Sequence, residues 1–500
     1  MTLQLKKKNS VELTDLEEYF ARFRDNIVGS EQTFTTPYGE KRIVYMDWTA
    51  SGRLYKPIEE KMAATFGPFV GNTHSESSVT GTSMTRSYHH ACHVIKEHVN
   101  AGPDDVLLNV GFGMTAAINK LQRILGLRVP EQLRECLNLS EHEKPVVFVT
   151  HMEHHSNQTS WIETIADVHV IKPTEDGLVD IDDFLSLLER YKNRSVKIGS
   201  FTACSNVTGI ETPYHTLAKI MHEHGGICVV DLAASAPYVE IDIHPPDPLE
   251  KIDAITFSPH KFLGGPGSSG ALIFDSHLYH LKSPDQPGGG TVLWTNPWGE
   301  HKYKESIEER EDGGTPGFLQ TIRTALAIQL KEQMGTENIR RREEQLVRKL
   351  FSELRRIPHL VLLADSIDQR LGMFSFYFDS FHYNLVVRLL NDRFGIQARG
   401  GCSCAGTYGH YLLHMDHYAS KRITDRIDAG DLSSKPGWVR ISIHPTTTDA
   451  EVEYVANALN SIGEHHEEWG EDYSYNKVSN EYFHKETGLY DVAVEKWFDL

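Results

Sequence analysis

At 500 residues the chain exceeds what one hydrophobic core usually organises, so two packed domains are expected. Hydrophobic residues at 40% and charged residues at 24% are ordinary for a globular protein, and a net charge of -19 repels nucleic acid and anionic membranes, so neither is expected as a partner. No apolar stretch reaches the length that spans a bilayer, and the opening MTLQLKKKNS lacks the charged-then-apolar order of a signal peptide. Cys92, Cys136, Cys204, Cys228, Cys402 and Cys404 are scattered and form no disulfide framework, so a reducing cytoplasm is the expected setting.

In chain order, residues 1–50 read as an amino-terminal segment that joins a small domain, and 51–345 as a large domain. The large domain alternates short β-rich runs with helical stretches. Strands are expected at Val106–Asn109, Val146–Thr150, Val168–Lys172, Lys197–Thr202, Ile227–Asp231, Ala254–Ser258 and Gly270–Phe274. Helices are expected between them at Thr115–Leu125, His155–Ile165, Asp182–Tyr191 and Tyr214–His224. This rhythm implies an α/β fold with a mainly parallel sheet covered on both faces. One long helix is expected from Phe318 to about Ile357. Residues 346–464 read as a smaller α+β domain with strands Gly372–Phe378 and Val439–Ile443 and a last helix Asp449–Ile462. The acidic, aromatic extension 465–500 shows no clear period and reads as loosely docked. The basic runs Lys6-Lys7-Lys8 and Arg340-Arg341-Arg342 read as solvated surface.

One stretch carries chemistry. An apolar strand ends on Asp231, and the next ends just before His260-Lys261. Open α/β sheets bind ligands at the carboxyl ends of their strands, so this acid and lysine can face one cleft. Pyridoxal 5'-phosphate (PLP) needs such a pair, an amine for the imine and a carboxylate beside its ring nitrogen. FLGGPGSSG follows Lys261, and glycines let backbone approach a ligand closely. Ser258 and His260 can donate to a phosphate from the same turn, and the glycine turn Gly111–Thr115 opens a helix whose free N–H groups suit one. His154, just after a strand, can lay its ring on a cofactor.

Eight segments occur in order: YMDWTASG (45–52), GNTHS (71–75), MEHHSN (152–157), SNVTG (205–209), VVD (229–231), SPHK (258–261), GGTP (313–316) and RGGCSCAG (399–406). Together they resemble the class V aminotransferases of PLP fold type I, in particular the cysteine-desulfurase-like group, over roughly residues 43–462. The resemblance implies that Lys261 is the Schiff-base lysine, that Asp231 pairs with the pyridine nitrogen, and that His154 stacks on the ring and moves protons. It places Asn206 near the phenolic oxygen and Thr115, Ser258 and His260 on the phosphate. Thr315 is implied to reach the phosphate of a neighbouring subunit, hence a homodimer. Arg440 is implied to fix the α-carboxylate of a small amino-acid substrate, a role that suits the planar guanidinium fork, and Arg399 matches a substrate-proximal arginine.

In the loop from Arg399 to Gly406, alignment on Cys-Ala places Cys404 where desulfurases carry the thiol that becomes a persulfide. Cationic Arg399 and flanking glycines favour thiolate and mobility there, and Cys402 is a second thiol nearby. The chain departs from the desulfurase pattern at Ala234, where glutamine is expected, at Thr446-Thr447-Thr448, and in a longer connector from Cys404 to Arg440. Those departures are similar to the amino-terminal domain of molybdenum-cofactor sulfurase.

The leading expectation is a PLP-dependent desulfurase that turns L-cysteine into L-alanine and passes sulfur, through Cys404, to a protein acceptor. A second reading is another class V PLP enzyme, an aminotransferase, epimerase or carbon–sulfur lyase, in which Cys404 is idle. A third is a catalytically silent PLP- or metal-binding protein, since His410, His414 and His417 follow the two cysteines, although their spacing fits no standard zinc site and no metal is expected.

Overall fold

The computed structural model describes residues 15–73, 76–486 and 494–499. The Lys6–Lys8 run, the last two residues of GNTHS and part of the carboxy-terminal extension lie outside them. Seven strands form the larger sheet: β1 (Asp105–Val110), β2 (Val146–Thr150), β3 (Asp167–Ile171), β4 (Lys197–Thr202), β5 (Ile227–Asp231), β6 (Ala254–Phe257) and β7 (Gly270–Asp275). Their order is β1-β7-β6-β5-β4-β2-β3. Only β7 runs against its neighbours, and the pairs from β6 to β3 are parallel. This is the mainly parallel α/β sheet expected, with strand bounds shifted by a residue at most.

The strand sequences explain the layering. In β2, Val146 and Phe148 enter one core while Val147 and Val149 enter the core on the other face, as a period of two requires. A strand buried on both faces therefore reads as an unbroken apolar run, VVFVT. Helices Met114–Ile124 and His155–Ile162 lead away from the carboxyl ends of β1 and β2.

The smaller sheet contains β8 (Leu360–Leu362), β9 (Met373–Phe378), β10 (Arg399–Gly401) and β11 (Trp438–Ser442), ordered β8-β9-β11-β10 and antiparallel throughout. Phe374, Phe376, Val439 and Ile441 pack there with Leu389, Val455 and Leu459 of the covering helices. Val44 and Met46 join the same core, and Val44–Tyr45 pairs in parallel with Ile396–Gln397. The segment after Tyr45 then lies against β11 through an Asp47–Ser442 bridge.

Three expectations are corrected. The single helix from Phe318 is two, Phe318–Met334 and Thr336–Leu354, broken where Gly335 adopts φ 78°. Leu- and Glu-rich sequence on both sides hides that break, because glycine within a helical pattern is often tolerated. The last helix continues to Gly470, and residues 471–485 of the extension are docked rather than loose. Tyr473–Asn476 and Glu481–His484 form a hairpin, the buried Tyr473 hydroxyl donates to Asp392, and Tyr38 donates to Asp472. Arg342 is buried rather than solvated, binding Glu17, Asp449 and the Thr447 carbonyl, so it ties an amino-terminal helix to the carboxy-terminal one.

Gly209 shows how closely the two sheets' loops approach. Its φ is 74°, and a Cβ there would lie 2.2 Å from the Leu371 carbonyl oxygen. At Gly225, φ is 67° and no atom lies within 4 Å of the same position. Gly225→Ala is expected to cost only the left-handed backbone penalty, roughly 1–2 kcal/mol. Gly209→Ala is expected to cost clearly more, because Leu371 must also move. Chemical denaturation of the two variants against the parent checks the difference, and equal losses would contradict it.

Candidate active site

The carboxyl ends of β4, β5 and β6 lie side by side and each leads to a polar side chain: Asn206, Asp231 and Lys261. Every residue expected to be catalytic or to bind cofactor or substrate, except Thr315, lines one cavity of about 460 Å3. Thr115, His154, Ser258 and His260 border it from the larger sheet, and Arg399, Cys404 and Arg440 from the smaller one. Thr315 lies elsewhere, exposed in its own chain, with its hydroxyl donating to Asn72 Oδ1 at 3.3 Å.

Burial sets the electrostatics. It raises the Asp231 carboxyl to about 6, opposed by the Ala233 N–H on Oδ1 and by the Lys261 charge. It lowers the Lys261 amine to about 8, opposed chiefly by Asp231. No hydrogen-bond or ion-pair partner within bonding distance is found for Lys261 Nζ among the described residues. A partly deprotonated, unpartnered amine beside a carboxylate is the chemistry of an imine-forming lysine. His154 is held to about 3, by burial first and then by Lys261, so it is a neutral imidazole. Its Nδ1 accepts the Ser156 N–H at 3.1 Å, which leaves the proton on Nε2. His260 is likewise lowered to about 4 by burial.

Opposite Lys261 is a cradle for an anion. Gly113, at φ 87°, caps helix Met114–Ile124, and a Cβ there would meet Ser258 Oγ at 2.9 Å. Ser258 Oγ accepts the Met114 N–H at 2.8 Å, so its own hydrogen remains to donate. Thr115 Oγ1 lies 2.7 Å from Ser156 Oγ. The buried Asn206 Oδ1 has no partner. Cradle, amine and buried carboxylate together fit PLP.

Two supports were not among the residues expected. Fully buried Glu153 accepts from Thr150 N and Oγ1, Thr202 N and Asn157 Nδ2, clamping the end of β2 to that of β4 next to His154. Asp47 receives both guanidinium groups, Arg399 at 3.0 Å and Arg440 at 2.9 Å. An acid inside YMDWTASG was the only available signal for Asp47, and Glu153 was visible only as the residue before His154. Lys435, in the long connector, also lines the cavity.

The cysteine loop is tethered rather than free. Asn206 Nδ2 donates to the Ser403 carbonyl at 2.8 Å, His155 N–H donates to the Cys404 carbonyl at 2.7 Å, and the Gly406 N–H donates to His155 Nε2 at 2.9 Å. Ser403 and Cys404 both hold positive φ, 52° and 56°, which turns the chain tightly at the thiol. Cys404 is exposed, whereas Cys402 is half-buried against the core. Ala234 lines the cavity without a polar atom. His410 spends both ring nitrogens on the Gly406 carbonyl and Ser420 Oγ, and no three His, Cys, Asp or Glu side chains among the described residues converge as metal ligands. Among them, too, no helix is long and apolar enough to cross a membrane.

An amine lowered to about 8 is neutral above that pH, whereas an ordinary lysine stays charged to about 10.5. In cofactor-free protein, acylation of Lys261 is therefore expected to rise through about pH 8, ahead of surface lysines such as Lys421. Peptide mapping across pH checks this, and a Lys261 profile matching that of Lys421 would contradict it.

A family model described as "Aminotransferase class-V" matches residues 44–455. A probable cysteine desulfurase of Halalkalibacterium halodurans is 27% identical over 371 residues, 73% of this chain and 84% of the relative. One from Staphylococcus epidermidis is 28% identical over 372 residues, with the same coverage. Among solved structures, a cysteine desulfurase of Thermococcus onnurineus matches with TM-score 0.70 at 21% identity, covering 89% of this chain and 98% of that one. One from Escherichia coli matches with TM-score 0.69 at 22% identity and the same coverage. The likeness to those structures is one of fold, while the sequence match spans both sheets and every cavity residue named above. The chain belongs to the class-V aminotransferase family, whose cofactor is pyridoxal 5'-phosphate.

Proposed function

We propose that this protein is a PLP-dependent cysteine desulfurase that converts L-cysteine to L-alanine and leaves the sulfur on Cys404 as a persulfide. The observation that carries the reading is a single cavity holding an unpartnered amine, a buried carboxylate, two guanidinium groups and an accessible thiol. Similarity to relatives named probable cysteine desulfurase supports the choice of substrate.

When bound, the cofactor supplies an aldehyde for amines and a ring that accepts the electron pair released at the substrate Cα. Lys261 Nζ would attach the cofactor and would serve as the base for the substrate Cα proton. Asp231 stabilises positive charge on the pyridine nitrogen from a site that water does not screen. Neutral His154 would meet the bound cofactor as a hydrogen-bond donor through Nε2. Ser258, His260 and Thr115 would hold the phosphate with the helix amino terminus, and Asn206 would offer a hydrogen bond to the phenolic oxygen. Arg440 and Arg399 orient the α-carboxylate.

Cys404 Sγ then attacks the substrate sulfur. The Sγ–S bond forms as the substrate Cβ–S bond breaks, the pair of that bond stays with carbon, and protonation completes alanine. One cysteine and one thiol thus give one alanine and one persulfide. The exposure of Cys404 lets a protein acceptor collect the sulfur. All six cysteines are free, consistent with a cytoplasmic setting.

We also propose a homodimer in which Thr315 completes the partner's phosphate site. Its exposure, on a Gly313-Gly314 turn away from its own chain's cavity, supports this.

Incubation with L-cysteine and a reductant is expected to yield alanine and sulfide in equal amounts, and borohydride is expected to fix the pyridoxyl group on Lys261. Cys404→Ser should retain that adduct yet form no persulfide, and Asp231→Ala should slow turnover by about 10²–10³-fold. Alanine formation undiminished in Cys404→Ser would refute the thiol's role.

Sedimentation is expected to show the active species as a dimer, with Thr315→Ala releasing cofactor more readily. A fully active monomer would refute that arrangement.

A further inference from the structure

Arg399 and Arg440 are register partners on adjacent strands β10 and β11. Like charges directly opposite one another in a sheet repel. One carboxylate resolves the conflict. Asp47 Oδ2 accepts from Arg399 Nε and Nη2, both at 3.0 Å, and Oδ1 accepts from Arg440 Nη2 at 2.9 Å. Asp47 is not among the residues that line the cavity, so it grips the two forks from behind.

Its backbone is fixed independently of the arginines. Met46 N–H donates to the Gln397 carbonyl at 3.0 Å, Ser442 N–H donates to the Met46 carbonyl at 2.7 Å, and Asp47 itself bridges to Ser442. The Arg440 side chain is 4% exposed and also donates to the Asn206 carbonyl, whereas that of Arg399 is 52% exposed. The group of two cations and one anion keeps a single net positive charge toward the ligand. Lys261 and Lys435 line the same cavity, so removing the Asp47 charge would strengthen an already positive field.

We infer that Asp47 is a positioning and charge-setting residue that makes this clamp prefer ligands with one carboxylate over ligands with two. The inference rests on the proposed carboxylate role of Arg399 and Arg440. It deepens that role by naming what limits the charge the clamp accepts. A purely structural role for Asp47 would change the affinity for both ligand classes alike.

Calorimetric titration of the cofactor-loaded protein with propionate and with succinate, at fixed ionic strength, tests this. Asp47→Asn keeps the shape but leaves two net charges, and should shift the affinity ratio toward succinate by about tenfold. Arg399→Gln leaves none and should shift it toward propionate. Asp47→Asn with Arg399→Gln restores one and should return the ratio to the parent value. If Asp47→Asn does not fold, Arg399→Gln and the double variant decide on their own. Ratios that stay flat across the variants, while the parent binds propionate in competition with cysteine, would overturn the role of Asp47 alone. If the parent binds neither anion and Arg440→Gln leaves the KM for cysteine unchanged, the clamp is wrong and the inference falls with it.

Discussion

Two opposite charges, Asp231 and Lys261, are kept in a buried cavity at the ends of adjacent parallel strands, close enough to influence each other yet without a hydrogen bond between them. Taking such groups out of water is costly, and the surrounding fold supplies what offsets it. The parallel β5–β6 pairing fixes the two chain ends, and the one-turn helix Pro259–Lys261 directs the amine inward. An unpaired buried acid and a lysine of lowered proton affinity are poor devices for stability. They are the state that a group able to form an imine and to present a ring nitrogen would complete.

The second half of the cavity is imported from the smaller sheet. Asn206 is the hinge between the halves, because its amide nitrogen holds the Ser403 carbonyl while its backbone carbonyl accepts from Arg440. The residue expected to touch a cofactor thus also steadies the loop that bears Cys404. Three hydrogen bonds tether that loop, so the proposed sulfur transfer would rely on position more than on the excursion of a flexible arm.

Charge is ordered on three scales. The chain as a whole is acidic, the charged groups that line the cavity are basic apart from Asp231, and Asp47 sets a counter-charge behind two of them.

Much of the fold was legible because its signals are local. Apolar runs such as VVFVT and ICVVD mark strands buried on both faces, and the acid and lysine at successive strand ends lie in the sequence itself. Asn206, Asp231 and Lys261 converge because parallel strands deliver their carboxyl ends to one edge, a rule that needs no coordinates. What stayed hidden depends on contacts between distant segments. The break at Gly335 needs a backbone angle, and the docking of the extension needs Tyr473 to meet Asp392. Arg342, read as solvated, is buried because Glu17 and Asp449 reach it from opposite ends of the chain. Asp47 becomes part of the site only when a strand from the amino-terminal segment lies beside β11, nearly four hundred residues later in the sequence. Sequence by itself determined the parallel sheet, the cofactor pair and the cysteine loop, since period, order and motif are properties of neighbouring residues. Tertiary structure alone decided which charges neutralise which, because an ion pair depends on distance in space and no local pattern encodes it.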